Sequence, residues 1–212
     1  ALSGVAACPQ NAVVGTEGES QTADGTVSDR ADNASTATVG GINIDRTAPA
    51  IAGWRAPLAN AFGWNNSPVT VSFTCDDALS GIDGCTGPQV VADEGEAQAR
   101  GGTAVDHAGN EAGTAVSAIS IDLTPPSIIG SLAPAPNLNG WNRTDVLASF
   151  ACGDRLSGVA TCSAPTRLTQ EGGAHLVTGS VVDRADNTAT AALLARIDKT
   201  APELAVYFDA TS

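Results

Sequence analysis

Apolar and polar residues alternate with period two in several short runs of this chain. In Val69-Thr70-Val71-Ser72-Phe73-Thr74-Cys75, the residues Val69, Val71, Phe73 and Cys75 share one face and Thr70, Ser72 and Thr74 the other. That is the signature of a strand with one buried face. Val146, Ala148, Phe150 and Cys152 repeat it, with Leu147 on the nominally outer face. Ile42 and Ile44, then Ile119 and Ile121, alternate along a later strand. An extended piece is expected around Pro88–Ala92, and turns at Glu17-Gly18, Glu94-Gly95 and Glu171-Gly172. Asp29-Arg30-Ala31-Asp32-Asn33, Asp106-His107-Ala108-Gly109-Asn110 and Asp183-Arg184-Ala185-Asp186-Asn187 read as hairpin turns, in which Gly or Asp takes left-handed geometry and the leading Asp bonds back to the backbone. Helical periodicity is nearly absent, so the fold class is all-β. Roughly seven short strands per unit of pattern read as an antiparallel β-sandwich.

The pattern repeats at ~77 residues. Cys75–Cys85 encloses Asp-Asp-Ala-Leu-Ser-Gly-Ile-Asp-Gly, and Cys152–Cys162 encloses a loop with the same Leu-Ser-Gly. Leu2-Ser3-Gly4 ahead of Cys8 is the back half of such a loop. The joints read Ile44-Asp45-Arg46-Thr47-Ala48-Pro49, Ile121-Asp122-Leu123-Thr124-Pro125-Pro126 and Ile197-Asp198-Lys199-Thr200-Ala201-Pro202, the last arriving one residue early through a single deletion. Residues 1–46 are therefore the C-terminal part of a repeat, 47–123 and 124–199 are complete copies, and 200–212 is expected to be the first strand of a following copy. Proline fixes φ and biases its predecessor toward extended geometry, so the joints are expected to be short and stiff. The chain is expected to be a window of a longer protein.

Composition narrows the partners. The net charge is −13 and the only lysine is Lys199, which leaves no basic footprint for nucleic acid or an anionic membrane surface. No apolar run is long enough to span a membrane. The five cysteines resolve by phase: Cys75 with Cys85, Cys152 with Cys162, and Cys8 in the second position of a pair whose first member lies outside the chain. Close, evenly repeated pairs imply disulfides and an oxidising compartment. Zinc fits poorly, since no histidine or third cysteine is in phase. A sandwich this small buries only about 60% of its unfolded surface. A disulfide closing so short a loop adds ~2.5–3 kcal/mol through the unfolded chain.

The acids offer a candidate metal set. Asp77 and Asp154, Asp106 and Asp183, and the joint acids Asp45, Asp122 and Asp198 recur in phase, as do Glu17, Glu94 and Glu171. Calcium needs several such oxygens to converge, and could stiffen a joint; the competing reading is turn formation and solvated charge. A glycosidase acid pair is disfavoured because every candidate recurs once per repeat. His107 and His175 are out of phase and read as surface residues. Trp64 and Trp141 are in phase and Trp54 is not; they pack at a domain end or, alternatively, form a carbohydrate platform. Asn33, Asn65 and Asn142 head glycan-acceptor triplets of a kind that arises by chance in Asn-rich turns.

The order Gly-Trp-Asn, Val-x-Phe-x-Cys, Ser-Gly…Cys, Glu-Gly, Asp-x-Ala-Gly-Asn, Ile-Asp-x-Thr-x-Pro resembles the tandem bacterial Ig-like repeats, close to fibronectin type III in shape, of large secreted and cell-surface proteins. The resemblance covers essentially the whole chain. It implies Ig-like sandwich domains and a non-catalytic extracellular role. Unlike antibody domains, each pair of cysteines here closes a local loop, so no core disulfide carries over. The expected function is a stiff structural array, a spacer or fibre segment of a surface adhesin, whose partners are neighbouring repeats or other copies of the chain. The alternatives are a head-to-tail filament assembled by strand donation and a carbohydrate-binding array.

Overall fold

The computed structural model describes residues 2–207. It is all-β, with sixteen strands in five sheets and no helix among those residues. The chain forms two compact units. One takes residues up to 56 with 70–91 and 99–117; the other takes 57–69 and 92–98 with the chain from 118 onward. The division runs through the 47–123 segment, and the joints at Asp45 and Asp122 each lie inside one unit.

In the first unit, β1 (Val5–Ala7), β2 (Gly18–Asp29) and β3 (Ala34–Ile44) make an antiparallel sheet in that order. After the joint, β4 (Ala50–Ala56) pairs antiparallel with β6 (Val69–Asp76), and β8 (Gln89–Val91) completes that sheet. The alternation of β6 is realised: Val69 and Val71 are fully buried and Phe73 half-buried, while Thr74 is exposed. The Phe73 ring lies on Gly102 of β9 (Gly95–Asp106), where an added Cβ would be 2.7 Å from the ring. Only glycine admits an aromatic ring that close to a neighbouring backbone. The order of the long sheet is β5 (Trp64–Asn65), β10 (Glu111–Ile121), β9, β7 (Ile82–Cys85).

In the second unit, β11 (Ser127–Ala133), β12 (Val146–Gly153) and β14 (Thr166–Leu168) form one sheet, and β13 (Val159–Cys162), β15 (Gly172–Asp183) and β16 (Thr188–Ile197) another. Val146, Ala195 and Ile197 form a core with Leu132 and Leu168 against it. The Phe150 ring sits on Gly179 as Phe73 sits on Gly102. Ile119 and Ile121 are fully buried, as their alternation predicts.

The single deletion has a structural counterpart. Gly41 and Ala118, in phase in the closing strands, both take positive φ, 72° and 56°. The pairing of β2 with β3 shifts register beside Gly41, between Gln21 and Ala23. The β15–β16 pairing runs without a shift from His175 to Val182. The residue missing from the third closing strand is thus the bulge residue, and losing it costs no ladder pair.

Residues 201–207 carry no strand, against the expectation for 200–212. The corresponding strands β4 and β11 are held by β6 and β12, and the 201–207 segment pairs with no strand among the described residues. The rest of that expectation, 208–212, lies outside the described residues.

Candidate functional site

The chemistry-bearing side chains gather at the joints, and the hairpin turns bring them there. Asp106 ends β9. Its Oδ1 accepts from the Asn110 backbone N–H at 2.8 Å and its Oδ2 from Asn110 Nδ2 at 2.8 Å. Asp183 does the same with Asn187, both at 2.9 Å, and Asp29 with Asn33, both at 3.0 Å. The residue before each Asn is left-handed: Asp32 at φ 63°, Gly109 at 88°, Asp186 at 70°. Aspartate and glycine tolerate that geometry, which is why they occupy the position.

The turn then reaches the preceding joint. Asn110 Nδ2 also donates to the Asp45 carbonyl at 3.3 Å, and Asn187 Nδ2 to the Asp122 carbonyl at 2.9 Å. The joint aspartates divide their carboxylates between two segments of chain. One oxygen of Asp45 accepts from Thr47 N at 3.0 Å and the other from Ser80 N at 3.0 Å. Asp122 accepts likewise from Thr124 N at 3.1 Å and Ser157 N at 3.0 Å. Ser80 and Ser157 belong to the cysteine loops. In those loops Asp77 Oδ1 accepts from Leu79 and Gly81 N–H, and Asp154 Oδ1 from Leu156 and Gly158 N–H.

Two carboxylate triads result, Asp45–Asp77–Asp106 and Asp122–Asp154–Asp183, each offering three oxygens within 4.8 Å of one another. Asp122 and Asp183 are completely buried and Asp106 nearly so. All five acids expected from the sequence as calcium ligands fall here, Asp77 with Asp106 and Asp154 with Asp183 and Asp122, and Asp45 joins the first triad. Asp198 is exposed and its carboxylate caps Thr200 N. A recess of about 290 Å³ opens beside Asp45, Ser80 and His107.

Glu17, Glu94 and Glu171 do not join the triads. Each braces the outgoing joint instead. Glu17 accepts from Arg46 N at 2.7 Å, Glu94 from Leu123 N at 2.7 Å and Glu171 from Lys199 N at 2.5 Å. Each also accepts from the joint threonine hydroxyl, Thr47, Thr124 or Thr200. Lys199 further pairs with Asp145.

Hydrogen bonding sets the protonation of these acids. The Asn33 side chain, followed by its backbone N–H, lowers Asp29 from 3.8 to about 2. The Ser80 hydroxyl, then the Thr47 N–H, holds Asp45 below the usual carboxylate range. For Asp106, burial is the largest influence and pushes upward, as does the Asp45 charge. The Asn110 side chain and backbone donors outweigh both, and its value falls. Lowered values keep Asp29, Asp45 and Asp106 charged, so the first triad holds negative charge against N–H donors. Hard oxygens in such a group suit a calcium-like cation, which takes six to eight oxygen ligands.

The remaining sequence candidates separate cleanly. Disulfides join Cys75 to Cys85 and Cys152 to Cys162, with Cα atoms 6.0 and 6.1 Å apart. Cys8 is free and exposed. His107 is a surface residue, 3.5 Å from Asp83. His175 is not: it is half-buried, and its Nε2 is buried without a partner against Gly172. It stands in phase with Gln21 and Gln98, whose Nε2 atoms brace the Glu-Gly turns by donating to Thr16 O and Asp93 O, both at 2.9 Å. Trp64 is buried, Trp141 half-buried and Trp54 exposed, so the in-phase rings present no continuous platform. Asn65 and Asn142 are buried, and their Nδ2 atoms donate to the Leu58 and Pro134 carbonyls, which takes both out of reach as glycan acceptors. Sequence reading missed the second role of Asn110 and Asn187, taken only as turn formers, and the Ser80 and Ser157 backbone. Their recurrence in phase was the available signal.

No helix among the described residues is long and apolar enough to cross a membrane. No protein-family model and no curated protein matches this chain.

Proposed function

We propose that this chain is a non-catalytic structural array of Ig-like sandwich domains in an extracellular or cell-surface protein, acting as a stiff spacer. The observation that supports it is the clamp at each joint. At the 122–126 joint, Asp122 takes Ser157 N on one carboxylate oxygen and Thr124 N on the other, Asn187 holds its carbonyl, and Glu94 holds Leu123 and Thr124. The 45–49 joint carries the same set from Ser80, Thr47, Asn110 and Glu17. A flexible linker leaves its backbone groups to water. Here the linker N–H and C=O groups are engaged by both neighbouring segments, so swinging a joint breaks several hydrogen bonds at once, two of them, at the 122–126 joint, to the buried Asp122 carboxylate. Each such buried group left unmade costs ~1–3 kcal/mol. Such an array sets reach and spacing, and its disulfide-clipped loops suit an oxidising exterior.

A pair of spin labels on non-natural residues at Leu58 and Leu176, both exposed and flanking the Asp122 joint, tests this. The wild-type distance distribution is narrow, and Asp122→Ala broadens it. A broad wild-type distribution refutes the stiff spacer.

A second reading is carried by the convergence of the triads. Calcium bound among Asp45, Asp77 and Asp106, and among Asp122, Asp154 and Asp183, would tighten each joint further by cross-linking three segments of chain.

A further inference from the structure

Within the second compact unit, a contact apart from the joint residues ties the 47–123 segment to the 124–199 segment. Asn60 lies in the loop 57–63, between β4 and β5. Its Oδ1 accepts from Phe62 N at 3.0 Å and Trp64 N at 3.1 Å, and Gly63 closes the turn at φ 86°. These bonds are local, so the loop shapes itself. Asn137, in phase, builds the same loop: its Oδ1 accepts from Asn139 N and Trp141 N, both at 3.0 Å, and Gly140 stands at φ 81°. The loop spends only the amide oxygen and leaves both Nδ2 hydrogens to spare. At Asn60 they go to the β15–β16 hairpin, where Nδ2 donates to the Arg184 carbonyl at 2.8 Å and to Asp186 Oδ2 at 2.7 Å. Ala185, between those acceptors, is 1% exposed, whereas Ala31 and Ala108 at the in-phase hairpin tips are exposed. The hairpin by itself does not bury that alanine; the segment against it does.

Asp186 makes the contact selective. Its position is left-handed, at φ 70°, which favours Gly, Asn or Asp. Of these, aspartate alone offers a charged acceptor, and a hydrogen bond to a charged group is roughly twice as strong as a neutral one. Gly109, in phase, keeps the turn and brings no side-chain oxygen. The hairpin is also tied to the joint, since Asn187 Nδ2 reaches the Asp122 carbonyl. One tie leaves rotation about the joint, and a second tie on a different loop removes it. We infer that Asn60 is a latch: the 57–63 loop is a preformed recognition surface for the hairpin tip of the following segment, Asp186 is the residue it selects, and the pair holds that segment against rotation about the Asp122 joint. A donor pair already in place loses little freedom when it engages. The inference deepens the spacer reading and rests on it for its purpose, while the contact stands on its own geometry.

Two measurements on the full chain test it. In the wild type, nuclear magnetic resonance compares side-chain amide exchange at Asn60 and at Asn137, whose Nδ2 has no acceptor among the described residues. The Asn60 hydrogens should exchange at least about fivefold more slowly, as one neutral and one charge-assisted bond require. The second measurement is a charge swap. Asn60→Asp keeps the oxygen that its own loop uses and turns an oxygen toward Arg184 O and Asp186 Oδ2. It should lower the melting temperature and broaden the distance distribution between spin labels on non-natural residues at Glu96 and Leu176, both exposed. Asp186→Asn, which tolerates the left-handed position, should destabilise the wild type by setting amide against amide. In the Asn60→Asp background it should stabilise, because a donor again meets an acceptor, so the effect changes sign across the double-mutant cycle. Equal exchange at the two asparagines, an additive cycle, or an unchanged distribution in Asn60→Asp overturns the latch. Each of these leaves the spacer reading to its own Leu58–Leu176 distance test.

Discussion

The substitution His175→Gln should stabilise the protein. Gln21 and Gln98 close their Glu-Gly turns with the side-chain amide, Gln98 Nε2 reaching Asp93 O at 2.9 Å and Gln21 Nε2 reaching Thr16 O at 2.9 Å and Gly18 O at 3.0 Å. His175 occupies the same place with a shorter, rigid ring, and its Nε2 is left buried and unpartnered over Gly172. Glutamine restores one good hydrogen bond, worth a net ~0.5–1.5 kcal/mol, and removes the unmet polar atom. A gain of about 1 kcal/mol raises the melting temperature by roughly 2–4 °C for a cooperative unit of 150–250 residues. The turn it braces contains Glu171, which holds Lys199 N and Thr200, so the third joint should tighten as well. Calorimetry on the wild type, His175→Gln and the reciprocal Gln98→His is the assay, with opposite signs of similar size expected. If both variants melt with the wild type, the side-chain brace contributes nothing and the reasoning fails.

Three further outcomes follow from named geometry. Ala118→Gly relieves a left-handed residue that costs roughly 1–2 kcal/mol; less the ~0.4–1 kcal/mol that glycine adds to unfolded-chain entropy, a net gain of about 0.8 kcal/mol, the middle of the resulting range, should appear in urea titration, and Gly41→Ala should lose a similar amount. Asp29, Asp45 and Asp106 are all lowered in the folded state. Their contribution is therefore complete above the ordinary carboxylate value and is lost as pH falls through the folded values, for Asp29 between 3.8 and about 2. The melting temperature should drop across that acid window, and Asp29→Asn should flatten the drop; an unchanged profile in the variant removes Asp29 as a cause. Calcium at a hundredfold excess over its dissociation constant should stabilise by about 2.7 kcal/mol for each of the two triads, so the total rise is halved in Asp77→Asn or Asp154→Asn. No shift at millimolar calcium rejects the cation.

Much of the fold was legible because a strand with one buried face must alternate. Val69, Val71, Val146 and Ala148 showed their inward face in sequence, and all are buried. The turns were legible because only a few residues tolerate left-handed backbone, and Asp32, Gly109 and Asp186 lie where that rule put them. Phase alone grouped the acids and paired the four cysteines. It also grouped Glu17, Glu94 and Glu171 with the aspartates, and geometry separated them, since the longer glutamates reach outward to the next joint rather than into the triad.

By itself, the sequence determined local matters: which residues face inward, where the chain turns, which cysteines can meet across ten residues, and the ~77-residue spacing at which each recurs. These follow from backbone sterics and short-range periodicity, which a single chain carries in its order of residues. The tertiary structure alone decided that Asp122, Asp154 and Asp183, far apart in the chain, bring carboxylate oxygens within 4.8 Å of one another, and that Asn187 bridges a turn to a joint behind it. It alone showed the buried, unpartnered Nε2 of His175. Those depend on how separate strands approach one another, and no periodicity along the chain encodes a distance across it.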